Sequence, residues 1–253
     1  MSDNVGIDRP TGALEVYITR VTNACVLIEL NGFKILTDPW FRNPWGFNEE
    51  PGLAVKDLPR LNAIIGSHFA ADHWGLSSMK NYKFRTSTPI FAATPKMAQR
   101  ALKYGFSNAE CIPWGSTRVI EPGLTLEAVE AQSFFGVRSN NYVLTVGSTR
   151  VFFGGETKEL KPLRTYRTNN PKVDIALAPS NGMRLLGYQL VATANEGLEA
   201  AKILNASVFV PIHDSMHSMG FGGPTSSARE LSRYDGDEPR VLFLPAGRRC
   251  RIR

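Results

Sequence analysis

Cysteine is scarce in this chain: Cys25, Cys111 and Cys250 are odd in number, far apart and free of any Cys-x-x-Cys spacing. That argues against a disulfide framework and against a cysteine-built zinc cluster, and it fits a reducing cytoplasm. Long apolar runs are missing as well. The segments LNAIIG, VFVPI and VLFLPA are short and interrupted, so none has membrane-spanning length. The first residues, MSDNVGIDRPTG, are polar and lack the apolar stretch of a cleaved secretion signal, which again points to the cytoplasm. No linker rich in Gly, Ser or Pro divides the chain, and no low-complexity tract occurs. Histidine is nearly as rare as cysteine, with four copies at positions 68, 73, 213 and 217.

What is present is ordinary globular material. The 253 residues, 43% hydrophobic and 21% charged, suffice for a substantial core. The formal charge is +6, but the basic residues are scattered. Only Arg248, Arg249, Arg251 and Arg253 form a dense group, read as a solvated basic tail. Without a continuous basic track, nucleic acid is not the expected partner. A small-molecule substrate is, and a homo-oligomer is compatible with the sequence.

Short apolar runs separated by turn residues set out the elements. Leu14 to Arg20, Ala24 to Leu30 and Phe33 to Thr37 read as a strand meander, with Asn31-Gly32 as a hairpin turn. Ala63 to Ile65 and Pro89 to Ala93 are strands, followed by a helix over Pro95 to Tyr104 that Thr94 caps and Gly105 ends. Ala109 to Ile112, Thr117 to Ile120, Thr125 to Ala131, Asn141 to Val146 and Arg150 to Phe153 continue as strands. Val173 to Ala178, a helix from about Glu196 to Leu204 with Thr193 as its cap, Val208 to Pro211, a helix from about Ser226 to Tyr234 and a last strand Val241 to Leu244 complete the chain. Both halves run from meander to strands and helices. The expected fold is therefore α/β (α+β), a four-layer αββα sandwich in a single domain over residues 1–253 with its core at about 13–245.

Two of these strands empty into ligand-type residues. Ala63 to Ile65 opens into His68, Asp72 and His73, and Val208 to Pro211 opens into His213 and His217. Histidines packed or exposed at loop mouths would give the same pattern. The chemical alternative is that Asp72, His73 and His213, with Glu156 from the segment FFGGETK, hold a divalent metal. Trp40, Phe41, Trp45 and Phe47 crowd the loop after Asp38-Pro39, where they would wall an apolar pocket or pin the loop to the body.

The order of TDP, His-x-x-x-Asp-His, Gly-Gly-Glu-Thr and Pro-Ile-His resembles the metallo-β-lactamase-fold superfamily, from about Ala13 to about Pro245. Its nearest branch holds ascorbate-6-phosphate lactonase-like hydrolases and the phospholipase D that cleaves N-acyl-phosphatidylethanolamine. The family's His-x-His-x-Asp-His signature falls here on His68, Ala70, Asp72 and His73. Its mid-chain histidine falls on Gln132, its bridging aspartate on Glu156 and its last histidine on His213. The resemblance implies that one of two metal positions has lost its ligands at Ala70 and Gln132. At most one tightly bound ion is then expected, on Asp72, His73, Glu156 and His213; zinc is the first choice, manganese and iron would be tolerated, and a metal-free descendant is the alternative. His68 becomes a candidate general base beside Asp72, with Asp38, Gln132 and His217 placed around the ligands. The expected activity is hydrolysis of an ester, lactone, amide or phosphodiester in a small, partly apolar metabolite. A non-hydrolytic descendant, biosynthetic or binding, is the other class, favoured by Ala70 and Gln132.

Overall fold

The computed structural model describes residues 14–42, 50–131, 137–215 and 222–253. The chain opens with β1 (Val16–Thr22), β2 (Cys25–Leu30) and β3 (Phe33–Thr37), an antiparallel meander. Asn31 and Gly32 turn it with φ of 48° and 85°, the paired left-handed geometry whose twist matches the strands it joins. β4 (Ala63–Gly66), β5 (Ile90–Ala92) and β6 (Ala109–Cys111) then extend the sheet in parallel, with α1 (Pro95–Lys103) between the last two. Thr94 caps α1 by accepting from Met97 N at 3.2 Å, as the sequence predicts.

The second half repeats this plan. β7 (Thr117–Glu121), β8 (Leu124–Ala131), β9 (Ser139–Val146) and β10 (Thr149–Phe153) are antiparallel, and α2 (Lys161–Asn169) leads on to the parallel β11 (Ile175–Pro179). A small hairpin, β12 (Arg184–Leu185) and β13 (Tyr188–Gln189), precedes α3 (Ala194–Ile203), whose capping box is Thr193 with Glu196. β14 (Val208–Ile212) pairs with β11, β15 (Gly222–Gly223) pairs with β12, and β16 (Arg240–Val241) pairs with β14. β17 (Arg249–Arg251) crosses back to β1, so each large sheet has seven strands.

Alternation along these strands makes three cores. Ile18, Ile28, Ile35 and Ile65 face Leu126, Leu144, Val151, Leu177 and Val210 between the two sheets. Leu36, Ile64 and Ile90 point the other way, onto Met97, Ala98 and Ala101 of α1. On the opposite outer face Phe152, Ala176 and Phe209 meet Leu163 and Tyr166 of α2 and Leu198 and Ala201 of α3. The molecule is therefore helix, sheet, sheet, helix in section. Strands buried on both faces explain why AIIG, IALAP and VFVPI are continuously apolar instead of alternating.

Three expectations need correction. The helix expected over Ser226 to Tyr234 is a 3-10 helix, Ala228–Arg233, capped by Ser227. Its buried residues, Ala228 and Leu231, are three apart, which suits 3.0 residues per turn. The last strand is shorter than Val241 to Leu244, pairing only at Arg240–Val241. The basic tail, whose arginines are solvent-exposed as expected, is nevertheless an ordered strand and not a free end: β17 pairs with β1, Arg249 bonds Glu29 at 2.6 and 3.2 Å over the Tyr17 ring, and Arg253 meets Asp174 at 2.9 Å. Ile252, 7% exposed, joins the inner core, so that core continues past Pro245.

Deleting residues 249–253 should accordingly destabilise the protein by roughly 2–4 kcal/mol, the cost of an unburied isoleucine and a lost edge strand. A urea melt checks this. A midpoint equal to that of the full chain would show that β17 contributes nothing.

Candidate metal centre

The side chains of interest meet at one edge of the sandwich, where β3, β4, β10 and β14 end and the β1–β2 turn arrives. Asp38 follows β3 directly, fully buried and at φ 36°. Its Oδ1 accepts from Ser67 N at 2.6 Å, and its Oδ2 accepts from Ser67 Oγ and faces His73 Nδ1, each at 2.6 Å. Because the carboxylate only accepts, His73 carries its proton on Nδ1 and turns Nε2 inward. The short turn that carries His73 is anchored by Trp74, fully buried, whose indole donates to Met97 O at 3.1 Å.

Around His73 Nε2 lie His213 Nε2 at 3.0 Å, Glu156 Oε1 at 3.1 Å and Asp72 Oδ2 at 3.5 Å. His213 Nε2 is 3.6 Å from Asp72 Oδ2. His68 stands on the far side of Glu156, with Nδ1 at 3.5 Å from Oε2. The ligand-type atoms fall into two triads, Asp72, His73 and His213, and His68, His73 and Glu156, each with all atoms within 4.8 Å of one another. Four donors around one ion at bonds of ~2.1 Å would be separated by ~3.4 Å. The three edges of the Asp72, His73 and His213 triad, 3.0, 3.5 and 3.6 Å, bracket that separation, so these residues fit a divalent ion, and Glu156 Oε1 faces the shared His73 Nε2 at 3.1 Å from the other triad.

Charge makes the same point. Burial alone would raise the pKa values of Asp72 and Glu156, but His73 holds both carboxyls below their ordinary range, with His213 helping. Burial would likewise lower His73, yet the Asp72 and Asp38 carboxylates hold its pKa well above the usual imidazole value. His68 is lowered, chiefly by burial. In the metal-free protein His73 is therefore a cation balancing three acids, and His68 is neutral.

Gly155 makes this packing feasible. A Cβ there would lie 2.2 Å from Ser67 Oγ and 2.4 Å from Asp38 Oδ2. Backbone strain is concentrated here as well, since Asp38, Asn23 and His213 all have left-handed φ, of 36°, 51° and 55°.

The structure thus brings together His68, Asp72, His73, Glu156, His213 and Asp38. Gln132, His217, Trp45 and Phe47 lie outside the described residues. Trp40 is 3% exposed, and Phe41 packs half-buried against the core beneath α1. Ser67 and Asn23 are structural partners that the sequence reading did not single out. A polar residue in the tight turn VTNAC was the only available signal for Asn23.

Comparison with known proteins agrees with this arrangement. A UPF0173 metal-dependent hydrolase of Pyrococcus furiosus is 22% identical over 236 residues, 92% of this chain and 97% of that one. The cytidine monophosphate-N-acetylneuraminic acid hydroxylase of Mus musculus is 25% identical over 123 residues, 44% of this chain but only 21% of that enzyme. Among solved structures, an isothiocyanate hydrolase from Delia radicum gut bacteria superposes with a TM-score of 0.74 at 19% identity, covering 92% of this chain and 98% of that one. The family model described as the beta-lactamase superfamily domain matches residues 34–213, a span that takes in both triads. With its paired sheets and flanking helices, the chain belongs to the beta-lactamase superfamily and has the metallo-β-lactamase fold.

Proposed function

We propose that this chain is a cytoplasmic metal-dependent hydrolase, one domain over residues 1–253, that cleaves an ester, lactone, amide or phosphodiester bond in a small, partly apolar metabolite. Within the superfamily the proposal places it with the branch holding ascorbate-6-phosphate lactonase-like hydrolases and N-acyl-phosphatidylethanolamine phospholipase D. The observation that carries the reading is His73 Nε2, which belongs to both triads while Nδ1 is committed to Asp38. One ring nitrogen binds one ion. A second ion would keep only two protein donors among the described residues, so a single tightly held ion, zinc first and manganese or iron next, is expected.

Asp72, His73 and His213 would hold that ion, with Glu156 closing the set. The ion supplies Lewis-acid polarisation and makes water an effective nucleophile near neutral pH. Asp38 keeps the proton on His73 Nδ1 throughout. His68 receives the nucleophile's proton at Nδ1, giving up the long 3.4 Å hydrogen bond that this atom accepts from Ala70 N, and the imidazolium so formed faces the Glu156 carboxylate at 3.5 Å. Phe69, 43% exposed, has its ring centroid 4.5 Å from that of His68. It lines a cavity of 320 Å³ with Trp74, Met97 and Val137, a largely apolar receptacle that Lys96 and Arg100 also border.

A non-hydrolytic reaction is the second reading. Two histidines and one carboxylate is also the donor set of iron oxygenases, and the mouse relative is a hydroxylase.

Elemental analysis of protein loaded with zinc, manganese or iron and then dialysed should give one equivalent, and a panel of lactones, esters and phosphodiesters should yield a hydrolysed product carrying oxygen from labelled water. Two equivalents, or iron-dependent oxygen consumption without hydrolysis, would overturn the proposal. Affinity should also rise with pH. His73 binds an ion only when neutral and its metal-free pKa is raised, so the ion must displace a proton, and binding should tighten by up to about tenfold per unit until that pKa is passed. Titrations at several pH values read the slope directly.

A further inference from the structure

Asn23 occupies the two-residue gap between β1 and β2, fully buried. Its backbone O accepts from His213 N at 3.0 Å, and its backbone N donates to Ser215 Oγ at 3.0 Å. Its side-chain Nδ2 donates to Asp72 Oδ2 at 3.2 Å, the same oxygen that faces His73 and His213. A single turn of the first sheet thus grips one candidate ligand from the β4 loop and another from the end of β14.

Stability does not explain an asparagine there. Its Oδ1 is buried with no hydrogen-bond partner among the described residues, a destabilising arrangement, and its φ is 51°, which glycine would adopt with less strain. The amide orientation is nevertheless dictated: a carboxylate only accepts, so Nδ2 must face Asp72 and Oδ1 must be left over.

We infer that Asn23 is a positioning residue that fixes the Asp72 carboxylate against His73 and His213. The inference rests on the metal-centre reading of Asp72, His73 and His213. Outer partners of this kind orient a ligand oxygen before the ion arrives, and their loss typically lowers affinity by ~10–100-fold. The role is separable from folding because the backbone bonds of residue 23 do not need its side chain.

Asn23→Gly tests this. Glycine keeps the left-handed turn and both backbone bonds while removing the amide, so the metal-free thermal midpoint should stay within about 3 °C as zinc affinity, measured against a competing chelator, falls about 10–100-fold. In an Asp72→Ala background the same change should have little further effect, because the acceptor of the bond it removes is already gone. In metal-free protein the Asn23 side-chain amide resonances should shift on Asp72→Asn. Wild-type affinity in Asn23→Gly, or an equal loss in both backgrounds, would overturn the positioning role while leaving the metal centre standing. Wild-type protein that binds no zinc would overturn the metal reading and this role together, and unmoved resonances would overturn the contact itself.

Discussion

Zinc binding should survive His68→Ala and collapse in His73→Ala, although both histidines belong to the same triad. His73 presents its one uncommitted nitrogen to both triads, so its removal leaves neither of them complete. The affinity loss should exceed the ~10–100-fold that follows from losing an outer partner. Among the described residues the polar partners of His68 are Glu156 and Ala70, and its neutral imidazole is poised for proton transfer. Turnover in His68→Ala should fall by ~10²–10⁴-fold, the usual worth of a general base, with KM changed less than kcat. His213→Ala and Asp72→Ala should behave like His73→Ala in the binding assay. Isothermal titration across these four proteins decides the matter. Should His68→Ala lose zinc while His213→Ala retains it, the ion would belong to the triad of His68, His73 and Glu156, and the general base would have to be sought elsewhere.

Much of this site was legible in the order of residues, because strands of a layered fold end where ligands gather. The runs before His68 and before His213 fix β4 and β14, and their carboxyl ends place both histidines at one edge. Glu156 was legible for the same reason, since it stands just beyond β10. Its pairing with His68 was not, because side-chain reach depends on how far two sheets twist relative to each other. Asn23 and Ser67 escaped notice because their roles come from backbone geometry and from contacts across more than 20 residues of sequence. The strand in the basic tail was missed for a different reason. Arg249, Arg251 and Arg253 are solvent-exposed, as their charge suggests, but they alternate with Cys250 and Ile252 at the period of a strand, and their partners Glu29, Glu15 and Asp174 are far away in the chain. The α2 helix was missed because it buries only Leu163 and Tyr166 among charged and polar neighbours.

Gly155→Ala should damage both folding and zinc binding. The atoms its Cβ would strike, Ser67 Oγ at 2.2 Å and Asp38 Oδ2 at 2.4 Å, are not flexible ends but members of a buried network held by 2.6 Å bonds. Relief requires β10's exit to move away from β4, or Asp38 to release Ser67 or His73. Overpacking costs ~1–3 kcal/mol, and breaking a buried charged contact by removing a partner costs ~3–5 kcal/mol. A loss of about 3–5 kcal/mol in urea unfolding is therefore expected. Asp38→Asn separates the two contributions, because it keeps the volume and removes the charge. It should weaken zinc binding comparably, since both changes act on the proton at His73 Nδ1, but it should not introduce the steric clash. If Gly155→Ala instead unfolds at the wild-type urea concentration and binds zinc as tightly, the network has room to shift, and the glycine pair ahead of Glu156 serves something other than close approach.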